Sequence, residues 1–135
     1  MGKLILLISL FLSQPCFGQS ARTDEEVNQE ALQNTMELLQ NREKRDAYIK
    51  GDSKAQKADT MARQVVGDGA KLDELYKAAA VIFRDMATAN NGDAKSMQEA
   101  LGAAQKDPKA FYNNLTPEQR QMIKGLAESS APAPQ

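Results

Sequence analysis

Apolar residues recur three and four positions apart along most of the chain after residue 23, and no sustained alternation of polar and apolar residues occurs. This spacing is typical of amphipathic helices, because strands alternate with a period of two. The stretch from Leu72 to Met86 is the most apolar and predicts the central helix. We therefore expect an all-α fold, a small orthogonal or irregular bundle of five to six short helices. The helix before the central one is predicted to face the core with Ala55, Ala58, Met61, Ala62, Val65 and Val66.

Capping and breaking residues divide this helical pattern into segments. The first helix is predicted to open at Thr23 or Asp24 and to continue as far as Gly51. Residues 67–69 and 90–92 contain the Gly and Asn residues that end helices and form turns. The residues predicted to cap the start of later helices are Asp52 or Ser53, Asp93, Asp107 and Thr116.

The first 18 residues have the layout of a secretory signal peptide. Lys3 precedes an apolar run at residues 4–12, which is shorter than the ~20 residues that span a bilayer. Pro15 then breaks the run, and small residues occupy positions −3 and −1 of a cleavage site after Gly18. We therefore predict export to the bacterial periplasm or the medium, with no stable membrane insertion after cleavage.

Cys16 leaves an alternative open, because cleavage before a lipid-modified cysteine would retain this residue as an anchor. A short buried helix at the start of a cytosolic chain is a further interpretation of the apolar run. Cleavage after Gly18 leaves a mature chain that has no cysteine and therefore no disulfide. The helical domain is then expected at residues 19–128, followed by a disordered tail at 129–135 that contains two prolines.

The composition argues against several classes of function. The net charge is −1, and loss of Lys3 with the signal peptide changes it to −2, whereas a nucleic-acid-binding domain is normally basic. The chain has no His, and its one cysteine lies in the predicted signal peptide. A Ser-His-Asp triad, a cysteine nucleophile and a His/Cys zinc site therefore cannot form in the mature chain. We predict a non-enzymatic protein without cofactor or metal.

Three further polar segments have structural interpretations. Residues 90–93 are predicted to end a helix, because neither register of a calcium loop there has the oxygen ligands that an EF-hand requires. The mixed charges at residues 42–45 are typical of a solvated helix face. Residues 114–116 match an N-glycosylation sequon, in which Thr116 also serves as a predicted helix cap.

The string at residues 115–119 predicts a capping box, in which Thr116 accepts from the Gln119 amide and Gln119 reaches back to the Thr116 amide. Leu115, Thr116 and Gln119 also resemble the LTxxQ motif of the Spy/CpxP group of periplasmic helical stress proteins. The resemblance implies a chaperone or stress sensor that works without ATP and forms a dimer. It covers a single motif where that group carries two, and this chain lacks the histidines of the group's metal-binding members.

The leading prediction is an exported helical protein that binds a protein partner, whose identity the sequence leaves open. An apolar groove between short helices would accept a peptide or a partner helix. A Spy/CpxP-like chaperone is one alternative, and a structural or assembly role in which the first helix pairs as a coiled coil is another. The residues predicted to contribute to the groove are Leu38, Leu39, Tyr76, Phe83 and Phe111.

Overall fold

The computed structural model describes residues 24–130, and every regular element within them is an α-helix, which confirms the all-α prediction. The predicted signal peptide with Cys16, the cap at Thr23 and residues 131–135 lie outside the described residues. The helices are α1 (Asp24–Gln40), α2 (Arg42–Gly51), α3 (Ser53–Val66), α4 (Ala70–Ala89), α5 (Ala94–Lys106), α6 (Pro108–Asn114) and α7 (Pro117–Ser130).

The long first helix of the sequence prediction is two helices in the structure. Asn41 adopts an extended conformation, with φ −106° and ψ 110°, and its side chain accepts from the Lys44 amide at 3.1 Å. A polar side chain that competes for backbone amides favours a helix start over a helix interior. Asn41 therefore ends α1 and caps α2, and this break raises the number of helices to seven within residues 24–130.

The other predicted helix boundaries are confirmed. Asp52, Asp93 and Asp107 each accept from a backbone amide two or three residues further on, at 2.8–2.9 Å. The turn after α4 contains Asn91 with φ 51° and Gly92 with φ 72°, in the left-handed region that ends helices. The Gly92 amide donates to the Ala87 carbonyl at 2.8 Å, so this segment is a helix stop.

Helix α4 is the centre of the bundle, as its apolar breadth predicts. It packs against α1, α3 and α7, and the core forms where these helices meet. Burial of each large apolar side chain contributes roughly 1.5–3 kcal/mol to the free energy of folding. The large apolar side chains of this core are Leu39, Leu72, Leu75, Tyr76, Ile82, Phe83, Met97, Leu101, Leu115, Ile123 and Leu126.

The buried face of α3 differs from the predicted one. Met61 is 36% exposed and Val65 is only partly buried, although both were expected in the core. Asp59 is buried instead, between two alanine positions of the face that turns toward the rest of the fold. Alanine side chains allow α3 to approach its neighbours closely, and this approach places the Asp59 carboxylate against the central helix. The buried residues of α3 are Ala55, Ala58, Asp59, Ala62 and Val66.

Helix α7 continues two residues into the segment predicted as a disordered tail. The hydroxyls of Ser129 and Ser130 donate to the Leu126 carbonyl, at 3.1 and 2.6 Å, and the Lys71 amine donates to the Ser129 carbonyl. The bond from Lys71 satisfies a carbonyl group in the last turn of α7, and the two serine hydroxyls bond back to the helix backbone. Within residues 24–130 each helix is too short or too polar to cross a bilayer.

Candidate functional site

Most of the residues predicted to line a binding groove lie in the closed core. Leu39, Tyr76 and Phe83 are 1%, 2% and 3% exposed and belong to one apolar cluster. Phe111 packs against the edge of that cluster, and Leu38 is half-buried outside it. A partner could touch the first three residues only if the helices separated. Partner binding through this groove therefore stays a prediction. The exposed surface of the closed fold contains a different candidate site.

Arg45 is the most deeply buried cation described, so the predicted solvated face is wrong at this residue, whereas residues 42–44 are exposed as predicted. It is 3% exposed, and its guanidinium lies 3.9 Å from the centroid of the Tyr76 ring. One terminal nitrogen donates to Asp73 Oδ1 at 2.9 Å and the other to the Leu39 carbonyl at 3.3 Å. The break at Asn41 causes this burial, because α2 starts in a new direction and turns Arg45 toward α4.

The buried network continues from Tyr76 to α3. The Tyr76 hydroxyl donates to Asp59 Oδ1 at 2.7 Å, and Arg63 Nε donates to the other carboxylate oxygen at 2.6 Å. Arg63 also pairs with Asp68 in the turn after α3. Four charged or polar side chains therefore connect α2, α3 and α4 in a continuous series of contacts.

Tyr76 and Arg63 keep the protonation states that their hydrogen bonds in this network require. Burial, together with the hydrogen bond to Asp59, raises the pKa of Tyr76 well above its usual range. The hydrogen bond to Asp59 raises the pKa of Arg63 as well. Tyr76 therefore stays a neutral hydrogen-bond donor and Arg63 stays a cation at physiological pH. Within residues 24–130 one buried donor of the network, Arg45 Nε, has no hydrogen-bond partner, while the other bonds described here specify how the helices pack.

The motif at residues 115–119 forms the predicted capping box and makes one further contact. The Thr116 amide donates to Gln119 Oε1 at 3.0 Å, and the Gln119 amide donates to Thr116 Oγ1 at 3.2 Å. Gln119 is 4% exposed, and its side-chain amide also donates to Asp85 Oδ2 at 2.7 Å. Leu115 is 8% exposed in the core. The three motif residues thus attach the start of α7 to the central helix.

One concave surface that includes an aromatic residue lies beside α6 and along α7. It is an open depression of about 600 Å³, which we call the α6–α7 face. Helix α6 has no fully buried residue, so its adjacent aromatic residues Phe111 and Tyr112 are both partly exposed. A helix that exposes two neighbouring aromatic side chains offers contact area to another molecule. The residues that line the face are Tyr112, Arg120, Gln121, Lys124, Gly125 and Glu128.

The charges of this face are incompletely paired. Arg120 is half-buried and makes no ion pair or side-chain hydrogen bond within residues 24–130. Lys124 lies 3.8 Å from Glu128, and both side chains are more than half exposed. Exposed pairs of this geometry are weak, typically below about 1 kcal/mol. The face therefore presents one free guanidinium and one loosely held amine to solvent.

Gly125 leaves a gap in the side-chain surface in the middle of α7. A Cβ atom at this position would meet no other atom within 4 Å, so packing inside the fold does not require a glycine. A glycine in a helix interior costs roughly 0.5–1 kcal/mol relative to alanine. Gly102 in α5 has the same open surroundings but does not line the face.

A sequence signal for this face exists, although the helical pattern alone does not single it out. Arg120 and Lys124 carry like charges four residues apart, an arrangement that destabilises an isolated helix by roughly 0.2–0.5 kcal/mol. Gly125 is a second unfavourable choice in the same turn. Two unfavourable residues together on a solvent-facing helix surface indicate a role outside the fold.

Comparison of the chain with family models, with curated proteins and with solved structures found no match. No functional residue can therefore be transferred from a relative. The resemblance to the Spy/CpxP group stays a prediction that depends on Leu115, Thr116 and Gln119 alone. Groups of His, Cys, Asp or Glu arranged to hold a metal ion are absent from residues 24–130.

Proposed function

We propose that this chain is an exported, non-enzymatic helical module that binds a protein partner through the α6–α7 face. The observation that carries the proposal is the half-buried guanidinium of Arg120, which has no side-chain partner within residues 24–130 and lines the same depression as the partly exposed ring of Tyr112. Arginine and tyrosine are enriched where proteins bind one another, because each combines a large contact area with directional hydrogen bonds. A second depression, of about 660 Å³ at residues 37 and 40–44, is lined by polar and charged side chains without an aromatic residue.

The closed core supports a surface mode of binding. Leu39, Tyr76 and Phe83 contribute to stability by being buried, and the network through Arg45 holds α2, α3 and α4 in place. Opening a groove between these helices would expose several large apolar side chains and uncouple that network. A partner that binds the α6–α7 face requires neither change.

Export remains part of the proposal through the layout of residues 1–18. A small helical module without cysteine suits a compartment in which thiols are oxidised, because no unpaired thiol remains after cleavage. Mass spectrometry of the chain recovered from its own cells tests this part directly. A mature amino terminus at Gln19 is expected, and an intact Met1 in the cytosol would contradict it.

The chaperone alternative depends on Leu115, Thr116 and Gln119. Each of these residues has a partner within the fold, in the capping box, the Asp85 contact or the core. These contacts account for the motif without a client protein, which favours the partner-binding proposal. Suppression of aggregation of a denatured model client by the mature chain would reverse that preference.

Site-specific photo-crosslinking in the cells that produce the chain tests the proposal. A photoreactive amino acid is placed at Gln121 on the face and, as a matched control, at Lys57, an exposed position on α3. We expect a discrete adduct from position 121 and none from position 57, followed by binding of the identified protein to the purified mature chain. Equal adducts at both positions, or none at 121, would refute the proposal.

A further inference from the structure

We infer that the partner segment that occupies the α6–α7 face is an acidic stretch of polypeptide whose backbone lies across Gly125. This inference rests on the proposed function and adds the chemical class of the partner. It follows from three observations on the same surface: the charges, the missing side chain and the aromatic wall.

The charges of the face are complementary to carboxylates. Arg120 and Lys124 are one helical turn apart, about 6 Å along α7, so both can contact one short acidic segment. The guanidinium of Arg120 has no competing partner within residues 24–130, and its planar fork matches a carboxylate in bidentate geometry. A ligand carboxylate could also replace Glu128 at Lys124, because the existing 3.8 Å pair is exposed.

The missing side chain at Gly125 provides room for a backbone. Glycine is favoured where another chain must approach a backbone closely, and a Cβ at Gly125 would project into unoccupied space. Gly125 follows Lys124 directly and belongs to the floor of the depression. An extended segment that crosses at this point would bring its own side chains within reach of both cations.

Tyr112 supplies the apolar part of the contact. Its ring is partly exposed and lines, from α6, the same depression as the two cations of α7. An acidic segment that includes one leucine, phenylalanine or tyrosine would place that residue against the ring. The α6–α7 face should therefore prefer a segment whose carboxylates lie close to one large apolar side chain.

Polyphosphate partners fit this face less well. Nucleic acids and anionic membranes are bound by extended basic surfaces, since affinity increases with each phosphate that is neutralised. The α6–α7 face has two cations and also carries Glu128, and the whole chain has a net charge of −1. Individual carboxylates on a polypeptide match two cations more closely.

A titration of the 15N-labelled mature chain, residues 19–135, tests the inference. The probe is a pool of octapeptides composed of Asp, Glu and one Leu, Phe or Tyr, and the control pool replaces Asp and Glu by Asn and Gln. We expect the acidic pool to shift amide signals centred on residues 112 and 120–128. The affinity for the neutral pool should be at least tenfold weaker. Affinity should also fall at least threefold between about 50 and 300 mM salt.

Matched variants separate charge from fold. Arg120→Gln should weaken binding of the acidic pool at least tenfold, whereas Lys57→Gln on α3 should leave it unchanged. Gly125→Ala should weaken binding at least fivefold, and Gly102→Ala, which makes the same substitution away from the face, should not. Circular dichroism of all four variants should show unchanged helix content.

Two results would overturn the inference. One is equal affinity for the acidic and neutral pools, and the other is tighter binding of a single-stranded oligonucleotide or of anionic phospholipid vesicles than of the acidic pool. Either result, with a partner still captured through position 121, would leave the proposed function standing. Loss of capture at position 121 would remove the proposed function itself.

Discussion

Replacement of Tyr76 by Phe isolates one hydrogen bond of the buried network. The change removes the hydroxyl that donates to Asp59 Oδ1 at 2.7 Å and keeps the ring against which Arg45 lies at 3.9 Å. Asp59 is 7% exposed, so water cannot readily replace the lost donor. Arg63 still donates to the other carboxylate oxygen, which limits the damage to one unpaired acceptor.

The expected loss of stability follows from this geometry. A hydrogen bond to a charged group contributes roughly 1.5–3 kcal/mol, and a buried acceptor without a donor adds a desolvation cost within the same range. We therefore expect Tyr76→Phe to lower the free energy of unfolding by about 2 kcal/mol at pH 7. For a domain of this size the melting temperature should fall by about 8 °C.

The stability difference between the wild-type chain and Tyr76→Phe should also depend on pH in the alkaline range. The pKa of Tyr76 is raised in the folded state by burial and by Asp59, while the unfolded phenol has a pKa of about 10. The contribution of Tyr76 is therefore fully present below pH ~10 and is lost above it, at about 1.4 kcal/mol per pH unit. The variant lacks this ionisable group, so its deficit should disappear near pH ~11.5.

Urea unfolding followed by circular dichroism at pH 7, 10 and 11.5 measures both effects. Tyr112→Phe is the matched control, because its side chain lies on the α6–α7 face and not in the network, and its stability should change by less than ~0.5 kcal/mol at pH 7. A Tyr76→Phe deficit below ~0.5 kcal/mol at pH 7 would refute the network. So would a deficit that stays constant up to pH 11.5.

Three other substitutions test separate parts of the fold. Gln119→Ala removes the bond from the Thr116 amide to Gln119 Oε1 and the 2.7 Å bond to Asp85, while the bond from the residue 119 amide to Thr116 Oγ1 remains. Thermal unfolding should show a loss of about 2 kcal/mol, and a loss under ~0.5 kcal/mol would contradict the bridging role. Arg45→Met should lower the free energy of unfolding in urea by about 2 kcal/mol. This loss is smaller than for a fully buried ion pair because the Asp73 side chain is 34% exposed, and a more stable variant would contradict the prediction. Gly102→Ala should raise stability by about 0.5–1 kcal/mol, since the new methyl group meets no atom within 4 Å, and a decrease would show a hidden clash.

The helix boundaries that depend on local chemistry could be predicted from the sequence. Asp93, Asp107 and Thr116 act as caps through atoms two or three residues away, so their role is set by neighbours along the chain. The break at Asn41 is equally local, yet the charged and helix-favouring residues on both sides conceal it. Asparagine within a long helical pattern is a weak signal, because it is tolerated in helix interiors at modest cost.

The burial of Arg45 and Asp59 could not be predicted from the sequence, because it depends on distant parts of the chain. Asp59 can be buried because the Tyr76 hydroxyl, 17 positions away, donates to its carboxylate. Arg45 can be buried because the Asp73 carboxylate, 28 positions away, accepts from its guanidinium. Helical periodicity assigns a charged residue to solvent unless a partner is known. The same limit explains why Met61 was expected in the core and is exposed.

The sequence prediction placed the candidate binding surface at other residues than the α6–α7 face. A protein-binding surface was expected at the large apolar residues, but burial in the core is the ordinary fate of such side chains, as for Leu39 and Phe83. The α6–α7 face is made from residues that a core-based pattern leaves unexplained: Arg120, Lys124 and Gly125. Their place on one depression, and the absence of a side-chain partner for Arg120 within residues 24–130, can be seen only in three dimensions.

Hydrogen–deuterium exchange of the mature chain, with and without the protein captured through position 121, tests the central claim most directly. The account predicts slower exchange in residues 108–128 on binding and unchanged exchange in the segments that contain Leu39, Tyr76 and Phe83. Unchanged exchange at 108–128, together with faster exchange in those core segments, would mean that the partner binds an opened bundle and would contradict the account.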